Sequence, residues 1–438
     1  MTGAGGAGRR LVLRGARFPG DIAVEDGVIA EVGAVEARPG DREMRCDGDI
    51  VTAGLVNTHH HLYQWMTRGR AIGCDLFGWL TELYPVWNEL RPDDVASAAR
   101  LGLAELALSG ATTVFDHHYV VPKGDDSVFD GIAAAAREVG VRLHLSRGSM
   151  DLGESRGGLP PDDLVEEVEA ILASTERVAA RLHDGERVSV VVAPCSPFST
   201  SEELMAESAA LARQLGLRLH THLEETLDEE RDCEARFGCR PLDYVERLGW
   251  IGDDVWFAHG VHFRAGEAAR LGGAGVGVAH CPSSNGRLGS GIAPVRQLLD
   301  AGAPVGLGVD GPASNEIGRL QPEMRQALFY ARLREGGAGA LSPIEAVELA
   351  TEGGARCLGR ADIGRLTPGA RADLAIWPAD DLADMADPVA GFVLGPERLV
   401  RHLLVGGDLV VEDGVLTTAD LGALRHDLAA RARRLWAA

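Results

Sequence analysis

The stretch Gly54–Leu55–Val56–Asn57–Thr58 runs straight into His59–His60–His61. A short apolar run opened by a glycine reads as a buried strand. Seven further runs follow it: Thr112–Phe115, Arg142–Leu145, Val188–Ala193, Arg218–Thr221, Val255–Ala258, Val276–Ala279 and Val305–Val309. Helical patterns such as Val95–Leu108 and Ser201–Gln214 lie between them. Strands that alternate with helices pair in parallel, and eight such units imply a closed (β/α)8 barrel of the TIM type, an α/β fold.

The ends of the runs carry the chemistry. The first meets His59 and His61, and the second Asp116, His117 and His118. The third leads to Ser146 and Arg147, the fourth to Cys195 and Ser196, and the fifth holds His220 and His222 ahead of Glu225. The last three end at His259, His280 and Asp310. In a barrel all these ends open on one mouth, where such folds place their active sites. Nine of the 14 histidines fall there, a clustering that core packing alone would not produce.

Outside the barrel, Leu11–Leu13, Asp21–Glu25 and Val28–Val32 read as strands, the last two joined at Asp26–Gly27, a hairpin signal. Ala372–Trp377, Arg401–Val405 and Asp408–Glu412 repeat the pattern near the other end. Both termini are therefore expected to build one small β-sandwich. The predicted division is residues 1–53, the barrel 54–360, and 361–438 with a terminal helix. Met1 to Arg10 is Gly-rich and reads as a disordered tail, and no apolar run is long enough for a signal peptide or a membrane span.

A formal charge of −22, from 43 basic and 65 acidic side chains, argues against nucleic acid or an anionic membrane as partner. Seven scattered cysteines, an odd number with no Cys-x-x-Cys spacing, imply no disulfide framework and a reducing cytoplasm.

His59 and His61 stand two apart on an extended segment, so both side chains face the same way. A lone His-x-His carries little weight. His222, His259 and Asp310 at other strand ends turn it into a nitrogen-rich site suited to zinc or a similar divalent ion, with room for water. His220 shares a face with His222, and spacing does not choose between them. Hydrolysis also needs proton carriers. Asp310 suits a base, and Glu225 suits an acid, with Glu224 its competitor in the acidic stretch Glu224–Glu230.

Asn57–Thr58–His59–His60–His61, His220–Thr221–His222–Leu223–Glu224–Glu225, Ala258–His259–Gly260 and Gly308–Val309–Asp310–Gly311 together resemble the amidohydrolase superfamily, and within it the mononuclear aminohydrolase branch. The resemblance spans nearly the whole chain. It implies His59, His61, His222 and Asp310 as ligands of one divalent metal, zinc or alternatively iron. It further implies Glu225 as proton shuttle and His259 beside the reacting water. Segments such as His61–Leu62–Tyr63–Gln64 and Ala193–Pro194–Cys195–Ser196–Pro197–Phe198 look most like the branch that deaminates 8-oxoguanine, and parts of the set are shared with s-triazine hydrolases and guanine deaminases. A homodimer is expected on the same ground. For the small heterocyclic substrate, Gln64, Trp79, His118, Arg147 and Phe198 are the candidate contacts. The competing reading of Arg147 is a salt bridge at the barrel rim, that of Trp79 and Phe198 plain packing, and Cys195 and Cys281 read as packing.

Overall fold

The computed structural model describes residues 10–121 and 125–436, so most of the Gly-rich leader lies outside it. Strands β1 (Leu11–Arg14), β2 (Asp21–Glu25), β3 (Val28–Gly33) and β4 (Arg42–Arg45) form a sheet in the order β3-β2-β1-β4. Asp26 and Gly27 join β2 to β3 with φ of 51° and 76°, the left-handed pair that a two-residue hairpin needs. The chain then makes β5 (Ile50–Ala53) and changes layer within two residues.

The barrel strands are β6 (Leu55–Asn57), β7 (Ala111–Asp116), β8 (Arg142–Ser149), β9 (Val188–Pro194), β10 (Arg218–Leu223), β11 (Val255–His259), β12 (Gly277–His280) and β13 (Val305–Leu307). They pair in chain order, all in parallel. Closure comes from Thr58 N donating to Leu307 O (2.9 Å) and Asp310 N donating to His59 O (3.1 Å). Both bonds fall at the mouth, so the closing seam also sets the metal-ligand candidates side by side. The fold is a (β/α)8 barrel.

Strands β14 (Leu374–Trp377), β15 (His402–Val405), β16 (Asp408–Glu412) and β17 (Val415–Leu416) extend β5 into a second sheet in the order β17-β16-β15-β14-β5. Leu13, Ile22 and Val24 of one sheet and Val51, Leu374, Ile376 and Leu404 of the other share a single apolar cluster. Thus β1–β4 all come from the N-terminal segment, while the second sheet mixes both ends. Arg142 and Asp373, each about 1% exposed, clamp the sandwich to the start of β8 through bonds of 2.8 and 3.1 Å.

A 3-10 turn, Leu62–Thr67, follows the His-rich segment and packs on helix Pro92–Leu108. The close approach needs glycine at 102, where a Cβ would lie 2.6 Å from Trp65 Nε1. The terminal helix Leu421–Trp436 braces that helix through Arg425 to Glu105 and Arg431 and Arg434 to Asp94. Among the described residues no helix is long and apolar enough to cross a membrane.

Candidate active site

The mouth gathers His59, His61, His222, His259, Glu225 and Asp310, all buried. His61 Nδ1 lies 2.7 Å from the carbonyl of His117, and His222 Nδ1 2.6 Å from that of Cys195. A carbonyl only accepts, so each Nδ1 carries the proton and each Nε2 presents a lone pair to the site. The two Nε2 atoms stand 3.2 Å apart. Two lone pairs at that distance repel unless a cation lies against both.

His220 solves its own ambiguity through the same logic. Its Nδ1 donates to Trp256 O (2.8 Å), which leaves Nε2 as an acceptor. His59 Nδ1, 2.9 Å away, therefore donates to His220, and His59 Nε2 is left as a lone pair facing Asp310 Oδ1 at 3.4 Å. That Nε2 makes no hydrogen bond among the described residues. Such partners on the far ring nitrogen are what orient metal-binding imidazoles. His220 turns a ligand rather than being one. Candidate ligand atoms of His59, His61, His117 and His222 lie within 4.8 Å of one another, as do those of His59, His259 and Asp310. His117 uses Nε2 on Ala193 O (2.9 Å), which commits that nitrogen elsewhere.

Asp310 is held on both oxygens. Oδ1 accepts from Gly311 N (2.7 Å) and faces His61 Nε2 at 3.2 Å; Oδ2 accepts from Ser284 (2.6 Å) and Ser314 (3.2 Å). Burial raises the Asp310 pKa, but positive charge shared with the His59 and His61 rings, a proton or a cation between their Nε2 atoms and Oδ1, outweighs it and holds the carboxyl well below its usual range. Glu225 goes the other way: burial, then repulsion from Asp310, lifts it well above 4.5. Its Oε2 lies 3.4 Å from His259 Nε2, and His259 Nδ1 is held by Asn285 Oδ1 at 2.9 Å. Burial lowers His59 to about 3 and pushes His222 well below 6.5, so both are neutral ligands-in-waiting. Glu224, the competitor, is tied to Arg240 at 2.9 Å and points away from the cavity.

Above this floor is a pocket. Gln64, Trp79 and Phe198 line it, as the sequence suggests. Trp79 donates its Nε1–H to Ala313 O (3.1 Å), so only its ring faces the cavity. The Gln64 amide is fully buried, and neither its oxygen nor its nitrogen has a partner among the described residues.

Two expected contacts are not in the pocket. Arg147 has the same strand parity as Leu143 and Leu145, so it turns into the helix layer. There it pairs with Glu166 (2.8 Å) and Ser174 (2.9 Å), both outside the barrel wall. His118 packs edge-on against Tyr63 at 5.3 Å and Phe129 at 5.8 Å, and burial lowers it to about 3. Conversely, Tyr84 and Tyr119 line the pocket without having been singled out, and Cys195, read as packing, lines it too. Tyr119 follows His117–His118 and was within reach of the strand-end pattern; Tyr84 sits mid-helix in Leu76–Trp87 and gives no local signal.

The same architecture recurs in known proteins. The sequence profile of the amidohydrolase family matches residues 50–410. The 8-oxoguanine deaminase of Pseudomonas aeruginosa is 49% identical over 425 residues, 94% of each chain. An isoxanthopterin deaminase from an unknown prokaryotic organism is 38% identical, covering 99% of this chain and 94% of its own. The crystal structure of an atrazine chlorohydrolase from Arthrobacter aurescens TC1, complexed with zinc, superposes with a TM-score of 0.90 at 32% identity, covering 96% of this chain and 100% of that one. With its barrel, its His/Asp cluster and relatives of this extent, the chain belongs to the amidohydrolase family, as a hydrolase acting on carbon–nitrogen bonds.

Proposed function

We propose that this protein deaminates a free purine base of the 8-oxoguanine type and releases ammonia. The observation that carries the reading is the pair of buried carboxyl groups with opposed proton affinities, Glu225 beside His259 and Asp310 beside His59 and His61, under an aromatic-lined pocket. Opposed pairs of this kind assign the acid and the base.

His59, His61, His222 and Asp310 would hold one divalent ion, zinc with iron as the alternative, since three imidazoles and a carboxylate suit both. Bound there, such an ion would supply Lewis acidity and lower the pKa of a water from about 15.7 to about 7. The protein does the rest. Trp79, Tyr84, Tyr119 and Phe198 wall a flat ring. The Gln64 amide can accept from a ring N–H and donate to a ring carbonyl, the pattern of a lactam edge. Asp310, ionised, takes a proton from the attacking water. Glu225, protonated, gives one to the ring nitrogen beside the amine-bearing carbon. His259 spends its Nδ1–H on Asn285 Oδ1, so its Nε2 accepts from the hydroxyl of the tetrahedral intermediate and lies 3.4 Å from Glu225 Oε2, to which that proton can pass. The proton on Asp310 leaves with the amine as ammonia, and the hydroxyl proton of the collapsing intermediate returns to Glu225.

The 49% identity to an 8-oxoguanine deaminase supports the oxidised purine as substrate, which would place the enzyme in purine breakdown. The likeness to an atrazine chlorohydrolase favours a second reading, displacement of chloride or an alkylamine from a triazine by the same attack. A cytoplasmic homodimer completes the proposal; seven unpaired cysteines support the reducing compartment. The test is ammonia release by the zinc-loaded protein from 8-oxoguanine, isoguanine, guanine, cytosine, an adenine nucleoside and an amino-triazine. Fast turnover of 8-oxoguanine supports the first reading. Chloride or alkylamine release from triazines, with all purines inert, overturns it for the second.

A further inference from the structure

Glu225 lies on a turn rather than on a strand. Strand β10 ends at Leu223 and the next helix, Leu227–Phe237, begins after Thr226. Glu224 between them has φ of +53°, a left-handed conformation that a glutamate rarely adopts. Something must hold that turn, because the direction of the Glu225 side chain depends on it.

Glu229 holds it. This glutamate is fully buried in the first turn of the helix. Its Oε1 accepts from Glu224 N (3.0 Å) and its Oε2 from Glu225 N (2.9 Å). The sequence Thr226–Leu227–Asp228–Glu229 has the form of a capping box, in which the third helical residue would reach back to the cap's own N–H. Thr226 does cap, accepting from Glu229 N at 3.4 Å. The carboxylate, however, reaches past the cap to the two amides before it. Bonding successive N–H groups with the two oxygens of one rigid carboxylate fixes both peptide planes. The Glu224 carbonyl is tied in turn to His262 N (3.0 Å), and its carboxylate to Arg240, which also binds Glu230 and Glu267. One glutamate of the adjacent pair is thus anchored outside while the other is turned into the pocket.

We propose that Glu229 is a positioning residue for the proton-transferring Glu225, acting through the backbone of residues 224 and 225. This rests on the role proposed above for Glu225. The test compares the metal-loaded wild type with Glu229→Gln, which retains one acceptor, and Glu229→Asp, one methylene shorter. Expected in both are a kcat at least tenfold lower and a KM within threefold. Metal content and Tm stay near wild type, and amide hydrogen exchange at residues 224 and 225 is faster. A kcat within twofold of wild type in a folded variant overturns the proposal. So does a parallel loss of kcat, KM, metal and Tm, or failure of both variants to fold, since either assigns Glu229 to folding alone. If the wild type itself turns over none of the heterocycles, the deaminase reading fails. The exchange rates then still decide whether Glu229 holds the turn.

Discussion

At the scale of single residues, the site works because identical groups are given different surroundings. Glu225 and Asp310 are both buried carboxyls, yet burial and the charge of Asp310 raise the proton affinity of the first, while the neighbouring His59 and His61 lower that of the second. Replacing Glu225 by Gln keeps the shape and removes the transferable proton. We expect kcat to fall by about 10²–10⁴-fold with metal content unchanged; near-wild-type turnover would remove Glu225 from the mechanism. His220 is a different sort of residue, since it sets the tautomer of His59 without facing the ligand cluster's centre. In His220→Phe, zinc affinity should weaken by about 10–100-fold, read by metal titration against a chelator. An unchanged affinity would mean His59 needs no orienting partner. Arg147 is spent on Glu166 in the helix layer. In Arg147→Met, Glu166 loses its buried partner, and the loss should be about 3–5 kcal/mol in urea unfolding while KM stays put. A raised KM in the folded variant would return Arg147 to the pocket.

At the scale of elements, the site is assembled where three segments meet. The 3-10 turn after β6 brings Gln64, the segment after β13 brings Asp310 and Gly311, and the helix Pro282–Leu288 after β12 brings Ser284 and Asn285. The tightest contact is at Gly311, where a Cβ would stand 1.7 Å from Gln64 Oε1. Its φ lies outside the left-handed region, so alanine is excluded by Gln64 and not by the backbone. In Gly311→Ala the amide must swing away. Losing its bonds to a ring should raise KM by about tenfold or more, with Tm little changed. Steady-state kinetics decides this, and an unaltered KM would show that Gln64 does not read the substrate.

At the scale of the whole molecule, the barrel encloses many imidazoles in their neutral form. His144, on β8 away from the mouth, is 3% exposed, and burial lowers it to about 3. The unfolded chain takes up its proton near pH 6.5, whereas the folded chain does not until about pH 3. Below 6.5 the unfolded state therefore binds the extra proton, and stability falls as the pH drops through that window. Replacing His144 by Leu removes this one contribution. Relative to wild type, the variant should gain about 1.4 kcal/mol for each pH unit below 6.5, measured by urea unfolding at pH 7, 6 and 5. A difference that stays constant with pH would show that His144 is protonated in the folded state.

Much of this was legible from residue order alone. The eight-fold repeat of apolar run and helix pattern, and the histidines and carboxylates at the ends of the runs, announce a barrel and a metal site, because periodicity and ligand chemistry are local properties. The β-rich ends announce a second domain for the same reason. Other features depend on register and packing, which no single stretch contains. Parity along β8 sends Arg147 into the helix layer, and only the folded strand reveals which side faces in. His220 and His222 look alike in sequence and separate once Trp256 O and Cys195 O claim their rings. Tyr84 and Tyr119, the serines on Asp310 and the two amides held by Glu229 come from segments that meet only when the barrel closes. Sequence order determined which chemistry this chain can perform, and tertiary structure decided which groups face the reacting atoms, because direction is set by neighbours far away in the chain.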